Sequence, residues 1–389
     1  MTKARILADY VAGGTTAAEF DYMDGVTSNV QTQLDAKLAL AGGTMTGDLV
    51  PDTPMSHRNM IINGAMNVAQ RTTSVVSGTT TVDYKSLDRF KFEDQMGSAQ
   101  VQYDQTSLTG ANIPAVGLMN AHKISLYSTA ESPSAAEYFY MEQIIEAQNI
   151  SHLLYGTASA KAITLSFYVR SNKDGVYGVQ AITPDGTAYD IGTTYTVSGT
   201  AWQRVTWTIP GNASGQIDNN NGAGMRIRWW LSAGTDSTTT SNTSWGAEAT
   251  GRRAYGQTAQ LFANSGNYIE FTGVQLELGS SATPFEHRSY GDELRRCQRY
   301  YEKGTCASTA PIRMWPINTD NDGGYRRTNI WLANTMRAVP NPITITIVAA
   351  GSTSSGVQFE TTTSFVPYSN QSAASGEGNV HAWTAEAEL

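Results

Sequence analysis

Cysteine is nearly absent from this 389-residue chain, which contains two, Cys297 and Cys306. Two cysteines with no CxxC or paired-histidine spacing around them do not make a zinc cluster, and they argue against a secreted scaffold held by several disulfides. We therefore interpret both as ordinary thiols. The length is enough for two or three domains at ~100–200 residues each.

Charge is also scarce. Charged residues make up 15% of the chain, against an average of about 25%. The formal net charge is −8, and no block of Lys or Arg stands out. A nucleic-acid-binding role needs such a basic patch, so no nucleic acid is expected among the partners.

Long apolar runs are missing as well. No segment approaches the ~18 apolar residues of a membrane span. The N-terminal segment lacks the apolar region of a signal peptide because Asp9 and Tyr10 interrupt it. We expect a soluble protein that, if it works outside a cell, leaves the cell by a route other than secretion.

The N-terminal part has the pattern of one amphipathic helix. Apolar residues recur every three or four positions at Met23, Val26, Val30, Leu34 and Leu38. The stripe is too narrow for a globular core, which favours a short parallel coiled coil of identical chains. Docking of this helix on the downstream domain is the alternative. We assign residues 17–56 to the coiled coil and the Gly-rich connector that follows it.

The sequence pattern of residues 57–288 is typical of an antiparallel β-sandwich, most simply a jelly roll. Alternation predicts a strand with Ile163, Leu165, Phe167 and Val169 on one face. The segment "MRIRWWL" places one set inward (Met225, Ile227, Trp229 and Leu231) and another outward (Arg226, Arg228 and Trp230). In "NYIEFTGVQLEL" the phase of the alternation changes at Gly273, which predicts a bulge there. The segment "AAEYFYMEQIIEA" is ambiguous between helix and strand.

A short helix is predicted at residues 289–304. Ser289 with Asp292 fits a capping box, and Gly304 occupies the position of a helix-ending glycine. The predicted helix has one apolar seam at heptad spacing, formed by Tyr290, Leu294, Cys297 and Tyr301. That seam suits either a trimerising contact or docking on a flanking domain.

Residues 305–389 form a small C-terminal β domain in this interpretation. Five strand candidates, "IRMWPI", "YRRTNIWL", "ITITIVAA", "VQFETTTSFV" and "VHAWTAEAEL", are divided by turn-rich segments. About 85 residues is close to the size at which a lone core becomes marginal, so neighbouring copies would stabilise it.

Several segments, read in order, resemble tail fibre proteins of tailed bacteriophages. They are "TAAEFDYMDGVTSNVQTQLD", "GGTMTGDL", "NMIINGAMNVAQR", "SLDRFKF" and "FTGVQLELGSSATPFEHRSYGDELRRCQRYYEK". Together they span residues 15 to 303, and residues 305–389 resemble no family.

The resemblance implies a homotrimer located in the virion tail and made in the host cytoplasm. Residues 1–16 would attach to a tail or baseplate adaptor protein, and the central module would be similar to carbohydrate-binding jelly rolls. The partner at the other end would be a host-surface glycan or outer-membrane protein, with the helix at 289–304 as the trimerising neck. A polysaccharide-degrading tailspike and a purely structural spacer are the alternatives.

Catalytic and metal sites have little support in the sequence. The five histidines lie far apart, no nucleophile or zinc-protease motif is present, and the carboxylates are scattered. We expect no enzymatic activity, no metal and no cofactor. The Asp218 and Asp320 loops lack the final Glu of an EF-hand and are interpreted as Asx turns. A structural calcium is suggested by the resemblance alone.

Glycan recognition needs flat aromatic faces beside hydrogen-bonding groups. Candidates in the sandwich are Arg228, Trp230, Trp245, Arg253 and Tyr255, and those in the C-terminal domain are Arg313, Trp315, Tyr325, Arg326, Trp331 and Trp383. A strand tryptophan is more often part of the core. Trp230 and Trp315 are favoured because their neighbours Trp229 and Met314 occupy the other face.

Overall fold

The computed structural model describes residues 56–78, 82–115, 117–305, 312–316, 325–349, 352–371 and 378–389. The predicted attachment segment at 1–16 lies outside them. So does the predicted coiled-coil stripe of Met23, Val26, Val30, Leu34 and Leu38. No helix among the described residues has the length and apolar composition needed to cross a bilayer.

The described residues are mainly β-structure with one α-helix, α1 (Tyr290–Gln298). The strands are β1 (Ser74–Ser77), β2 (Val82–Tyr84), β3 (Lys91–Asp94), β4 (Val101–Ser107), β5 (Asn120–Leu126), β6 (Tyr138–Glu146), β7 (Ile163–Ser171), β8 (Gly175–Thr183), β9 (Tyr189–Val197), β10 (Gln203–Ile209), β11 (Ala223–Ala233), β12 (Gly246–Ala247), β13 (Tyr268–Leu278), β14 (Tyr301–Thr305), β15 (Ile312–Pro316), β16 (Tyr325–Arg327), β17 (Ile330–Trp331), β18 (Ile343–Ala349), β19 (Ser352–Gln358), β20 (Ser364–Gln371) and β21 (Gly378–Glu386). Short 3-10 turns occupy Gly110–Asn112, Ala147–Asn149, Ser151–Leu153, Thr235–Ser237, Thr250–Arg252 and Leu261–Ala263.

Strands β1–β13 form two antiparallel sheets packed face to face, as the predicted sandwich requires. The first sheet has the order β1-β4-β5-β13-β7-β10, and the second has β12-β9-β8-β11-β6-β3-β2. Aromatic rings from the two sheets meet between them: Phe167 on β7 and Trp229 on β11 have ring centroids 5.9 Å apart. The sandwich core is therefore one continuous apolar layer.

The predicted alternation of the strands is confirmed. Ile163, Leu165, Phe167 and Val169 are all buried, as are Met225, Ile227, Trp229 and Leu231. The ambiguous segment around Tyr140 is strand β6, which pairs with β11 on one side and β3 on the other.

The bulge predicted at Gly273 is also present. The pairing of β13 with β7 shifts register between Thr272 and Gln275, and Gly273 has φ of 59°. A left-handed backbone conformation is easily adopted by glycine because it has no Cβ. The bulge changes which residues of β13 face the core, from Phe271 to Val274.

Helix α1 begins as predicted and ends earlier. The Ser289 hydroxyl accepts a hydrogen bond from the Asp292 backbone N–H at 3.2 Å, which caps the helix. The prediction that the helix continues to Gly304 is wrong: it ends at Gln298, and Tyr301 to Thr305 form β14, paired with β21. The backbone of residues 301–305 is therefore hydrogen-bonded in a β-sheet and not in a helix.

Half of the predicted helical seam faces the rest of its own chain. Cys297 is fully buried, and Tyr301 is buried with its ring centroid 3.8 Å from the Arg71 guanidinium carbon. Tyr290 is exposed and Leu294 is half-buried. Cys297 and Tyr301 are therefore unavailable for contacts between chains, which corrects their assignment to a trimer interface.

Strands β14–β21 build the C-terminal module, in which the sequence predicted five strands. Its sheet has the order β14-β21-β15-β16-β20-β17, with β18 on β21 and β19 on β20. The predicted strand "VQFETTTSFV" is two strands, because the Thr361 hydroxyl accepts the backbone N–H groups of Thr363 and Ser364 and closes a turn. Phe365 and Trp383 pack edge to face in the core of this module, 5.3 Å between centroids.

A buried polar junction fastens the C-terminal module to the sandwich. Glu146 on β6 accepts hydrogen bonds from the Arg299 side chain at 2.7 and 2.8 Å and from the Tyr300 hydroxyl at 2.5 Å. Near the end of β21, Glu388 is ion-paired with the buried Arg89. Residues 53–389 accordingly belong to one compact unit, and α1 is not a free neck between two separated β domains.

Candidate functional site

The most exposed aromatic residues of the described chain lie on the C-terminal module. Trp331 is 70% exposed and Phe359 is 66% exposed, more than any other large hydrophobic residue among the described residues. We use the name outer tip face for the surface formed by Arg327, Trp331, Phe359, Val366 and Tyr368.

The alternation of β20 determines which side chains share this face. Phe365, Pro367 and Ser369 are buried, whereas Val366 and Tyr368 are half-buried and point the other way. Residues directly opposite each other in an antiparallel pair share a face. Trp331 pairs with Ser364 and Arg327 pairs with Tyr368, so both extend the outer tip face onto β17 and β16.

Arg327 links the two sides of β20. Its guanidinium carbon lies 5.6 Å from the ring centroid of Phe359. Phe359 follows β19, on the far side of β20 from β16. The arginine therefore reaches across β20, and its charge lies beside an exposed aromatic ring at cation–π distance.

A glycine allows Tyr368 to lie close to the sheet. A Cβ on Gly356, its partner on β19, would lie 2.9 Å from the Tyr368 ring. Any larger residue would push the ring outward. The outer tip face is consequently shallow at Tyr368, whose ring lies close to the sheet.

Such a face has the chemistry that sugars require. Aromatic rings bury apolar surface at low conformational cost, and a hydroxyl or guanidinium fixes orientation by hydrogen bonding. Trp331 and Phe359 supply the rings, and Tyr368 and Arg327 supply the polar groups. The arrangement is able to bind a polar ligand with flat apolar patches.

The residues predicted for the C-terminal domain are only partly on this face. Trp331 is on it, whereas Arg326 pairs with Ser369 and so belongs to the opposite face. Trp383 is a core residue, which corrects its assignment as a glycan contact. Arg313 is exposed on β15, opposite Asn379.

The backbone register also bears on two further candidates. Trp315 pairs with Arg327, and Tyr325 pairs with Asn370. Their side chains lie outside the described part of the chain, so their assignment stays a prediction.

On the sandwich, Trp230 occupies the predicted face of β11 but is fully buried. Its ring lies 4.9 Å from Tyr140 and 5.8 Å from Tyr138, and Ala254 belongs to the same apolar cluster. Its indole N–H donates to the Gln180 side chain at 3.2 Å. The segment after β11 therefore covers Trp230, and the prediction that it is an accessible platform is wrong.

Arg228 is held in a satisfied ionic cluster. Its Nε donates to Glu142 at 2.8 Å, and its guanidinium carbon lies 4.5 Å from the Tyr140 ring centroid. Burial alone would lower the pKa of Arg228, but Glu142 and the neighbouring groups outweigh it and raise the pKa. The arginine is buried and its charge is already neutralised.

Glu93 completes this cluster. It accepts hydrogen bonds from the hydroxyls of Tyr138, at 2.7 Å, and Tyr140. Burial would raise the pKa of Glu93, but the two tyrosine hydrogen bonds and Arg228 outweigh burial and lower it. A carboxylate held ionised by three partners is a structural anion in this position.

The remaining sandwich candidates are divided between two places. Arg253 lies 5.7 Å from the Tyr138 ring centroid, and Tyr255 is exposed two residues further on. Trp245 is elsewhere: its indole N–H donates to the Pro210 carbonyl at 2.7 Å and its ring packs on Tyr155. The structure thus brings Arg228, Trp230 and Arg253 together and leaves Trp245 apart.

Sequence reasoning missed Phe359, Val366, Tyr368 and Arg327. The alternation of "SFVPYSNQ" indicates that Val366 and Tyr368 share one face of a strand. A strand prediction that runs through the preceding turn obscures this alternation. Phe359 has φ of 52°, a left-handed conformation that no pattern of alternation indicates.

Metal binding has no visible basis in the described residues. No group of three or more His, Cys, Asp or Glu side chains among them could hold a metal ion. In the Asp218 loop, the Asn220 side chain accepts the Gly222 backbone N–H at 2.7 Å, which is an Asx turn. The Asp320 loop lies outside the described residues.

No family model and no curated protein matches the chain. Among solved structures it is similar to the enzymatically active domain of tailspike protein 4 of bacteriophage CBA120, with a TM-score of 0.30 and 11% identity over 57% of this chain and 21% of that one. It is also similar to a CBM4 structure, with a TM-score of 0.28 and 12% identity over 56% of this chain and 98% of that one. A cyclase from Fischerella sp. TAU has a TM-score of 0.30 and 10% identity over 54% of this chain and 100% of that one.

The chain therefore spans about a fifth of the length of the tailspike chain that it matches. Likenesses at these TM-scores carry no argument about what this chain binds or does.

Proposed function

We propose that this chain is a trimeric tail fibre protein of a tailed bacteriophage that binds a host-surface glycan through its outer tip face. Residues 1–16 attach it to a tail or baseplate adaptor in the virion. The sandwich has jelly-roll connectivity and carries the C-terminal module. The protein acts by adsorption and does not cleave the glycan.

The observation that carries the proposal is the exposure of Trp331 and Phe359 on one shallow face. Exposed aromatic rings cost free energy in water and mark interaction sites when they are grouped. Arg327 and Tyr368 add hydrogen-bonding groups on the same face. The order of tail-fibre-like segments in residues 15–303 supports the setting in which such a face would work.

Individual contacts on a shallow face bind weakly. Three copies in a fibre, and several fibres on a particle, would raise avidity by roughly 10² to 10⁴ without new contacts. A weak glycan site is therefore sufficient for adsorption.

The test is binding of the purified full-length chain to an array of bacterial surface polysaccharides. Trp331→Ala and Phe359→Ala should each weaken binding to the recognised polymer by roughly tenfold or more, as for central aromatic contacts in interfaces. Tyr127→Ala is the matched control, because Tyr127 is 60% exposed and lies on the sandwich.

Two results would contradict the proposal. Undiminished binding by the double Trp331→Ala and Phe359→Ala chain would remove the outer tip face from recognition. Shortening of the bound polysaccharide during long incubation would favour a depolymerase in place of an adsorption protein.

A further inference from the structure

Two adjoining cavities lie beside helix α1, on the sandwich and away from the outer tip face. Their volumes are about 230 Å³ and about 510 Å³. Both are lined by His57 and Arg296, so they are neighbours, and together they are called the depression here. Its other walls come from residues 56–62, the 3-10 turns after β6, and the segment leading into α1.

Cationic side chains dominate this depression. Four arginines line it, namely Arg58, Arg288, Arg295 and Arg296. Three of the five histidines of the chain, His57, His152 and His287, line it as well. With the histidines counted as neutral, as in the formal net charge of −8, the four arginines exceed the two lining carboxylates, Glu286 and Asp292, by two charges.

The two carboxylates in the lining are already used. Glu286 accepts the backbone N–H groups of Arg58 at 3.1 Å and Asn59 at 2.9 Å. Asp292 accepts the Ser289 hydroxyl at 2.7 Å, at the start of α1. Their ion-pair partners are Arg288, 3.6 Å from Glu286, and Arg295, 3.5 Å from Asp292, so neither carboxylate is paired with Arg296.

Arg296 has no carboxylate within ion-pair distance among the described residues. Its neighbour Arg288 has Glu293 at 3.5 Å. Burial lowers the pKa of Arg288, Glu293 opposes that effect, and the charge of Arg296 lowers the pKa further. The two guanidinium groups thus repel each other across a concave surface.

Two donors in the same walls lack an acceptor. The Nε atoms of Arg58 and Arg288 are buried, and neither has a hydrogen-bond partner among the described residues. A buried donor without an acceptor is destabilising, because it has lost its hydrogen bonds to water. An oxyanion in the depression would supply both the missing charge and acceptor oxygens.

We propose that this depression is a phosphate-binding site, formed by Arg58, Arg296 and the histidines around them. A phosphate monoester carries about −1.5 to −2 charge at neutral pH and three strong acceptor oxygens, whereas a carboxylate carries one charge and two oxygens. Guanidinium groups hold such an oxyanion in bidentate geometry.

The ligand class is a phosphate monoester, as found on phosphorylated sugars and on the headgroup of phosphatidic acid. The site lies on the sandwich, and no residue of the outer tip face is part of it. Its existence consequently does not depend on the proposed glycan contact, and each is tested by substitutions that leave the other unchanged.

The experiment is titration of the full-length chain with inorganic phosphate, followed by ³¹P NMR. Arg296→Gln should weaken phosphate binding at least tenfold, and Arg58→Gln provides a second variant in case the first perturbs folding. Lys173→Gln is the charge control and should bind phosphate as the parent does. Lys173 lies two residues beyond the end of β7, whereas Ile163, at the start of β7, pairs with the cavity residue Leu278.

The outcomes separate the alternatives. Equal phosphate binding by the parent, Arg296→Gln and Arg58→Gln would overturn the proposal. Sulfate binding as tight as phosphate binding would overturn the assignment to phosphate, because it would show a general anion site.

Two further probes identify the source of the phosphate group. Binding of glucose 1-phosphate without binding to phosphatidic acid vesicles would support a phosphorylated sugar. Arginine-dependent sedimentation with phosphatidic acid vesicles, absent with phosphatidylcholine vesicles, would support a lipid headgroup.

Discussion

Arg89 illustrates how single buried charges hold the two modules together. It is 1% exposed, it is ion-paired with Glu388, and its Nη2 donates to the Ile144 carbonyl at 2.6 Å. Its guanidinium carbon also lies 3.4 Å from the ring centroid of Tyr300. A charge this deep is shielded from water, so it is stabilised by these partners and by Tyr84 on β2, whose ring centroid lies 5.9 Å from its guanidinium carbon.

Removal of Glu388 should be strongly destabilising. Glu388→Ala leaves the Arg89 guanidinium buried without its carboxylate, and breaking a buried pair in this way costs about 3–5 kcal/mol. Urea unfolding of the full-length chain measures the loss. The control is Arg295→Ala, which removes an ion pair with Asp292 whose side chains are 70% and 60% exposed; it should change stability by no more than about 0.5 kcal/mol. Equal losses in the two variants would show that Arg89 is satisfied without Glu388.

Asp94 should make the stability of the sandwich depend on pH. Burial raises the pKa of Asp94 to about 7, the Met96 backbone N–H opposes that rise, and Glu131 adds to it. The ordinary value is 3.8. The folded chain therefore holds a proton that the unfolded chain releases, and the contribution of Asp94 to stability falls as pH rises from about 4 to about 7.

The measurement is the urea midpoint at pH 5 and pH 8. Asp94→Asn should show a smaller drop between these values than the parent, because the titrating group is gone. Glu131→Gln should also reduce the drop, since it removes one cause of the raised pKa. An unchanged drop in Asp94→Asn would mean that other carboxyls determine the pH dependence.

At the scale of elements, the bulge in β13 depends on both the conformation and the size of Gly273. Its φ is 59°, and an added Cβ would lie 2.7 Å from Leu118 and 3.0 Å from Tyr168. Gly266 has a similar left-handed φ of 77°, but open space surrounds the position of its Cβ. The two glycines share the backbone requirement and differ in the packing requirement.

Gly273→Ala should therefore destabilise the chain more than Gly266→Ala. Both substitutions carry the cost of a left-handed alanine, roughly 1 kcal/mol. Gly273→Ala adds overpacking, typically about 1–3 kcal/mol. Thermal or urea unfolding of the two variants gives the difference directly. Equal losses would show that Leu118 and Tyr168 move aside without cost.

The elements also show how far sequence alone could lead. The alternation of apolar and polar residues is a feature of neighbouring positions in the sequence. It therefore predicted the buried faces of β7 and β11 and the phase change at Gly273. The end of α1 is not local: Arg299 and Tyr300 bind Glu146, more than 150 positions away, and Tyr301 pairs with Glu386. A short-range sequence pattern contains no information about a partner so distant in sequence. It therefore predicts that the helix continues beyond Gln298.

The candidate site shows the same limit. The residue type and strand position of Trp331 are enough to predict it as a candidate contact. The burial of Trp230, by contrast, depends on a later segment that folds over it. Phe359 was missed because its exposure follows from a turn between β19 and β20. Which side of a strand a residue occupies is thus readable from sequence, but what covers that side is not.

At the scale of the whole molecule, the buried junction changes what a trimer contact can use. Cys297 and Tyr301 are already packed against their own chain, and Glu146, Arg89 and Glu388 hold the C-terminal module on the sandwich. In the described part of the chain, the predicted seam is left with the exposed Tyr290 and the half-buried Leu294. We therefore propose that the N-terminal stripe, which lies outside the described residues, is the main contact of the proposed trimer.

The molar mass in solution tests this assembly. Light scattering of the purified chain should give three chains of 41.9 kDa, or 125.7 kDa. Substitution of Val26, Val30 and Leu34 by Asp should dissociate the trimer, because charges in a coiled-coil core have no partner. Tyr290→Asp with Leu294→Asp should only weaken it, and Met119→Asp, at an exposed position of the sandwich, is the control.

A parent mass of 41.9 kDa would contradict the trimer and the avidity argument that depends on it. Dissociation by the Tyr290 and Leu294 substitutions alone would instead place the main contact at α1, despite its docking on the sandwich. Since both sets of substitutions lie outside the outer tip face, glycan binding by a dissociated variant would also separate the two roles. Its affinity per chain should stay the same, while its avidity on a polysaccharide surface should fall toward that of a single weak site.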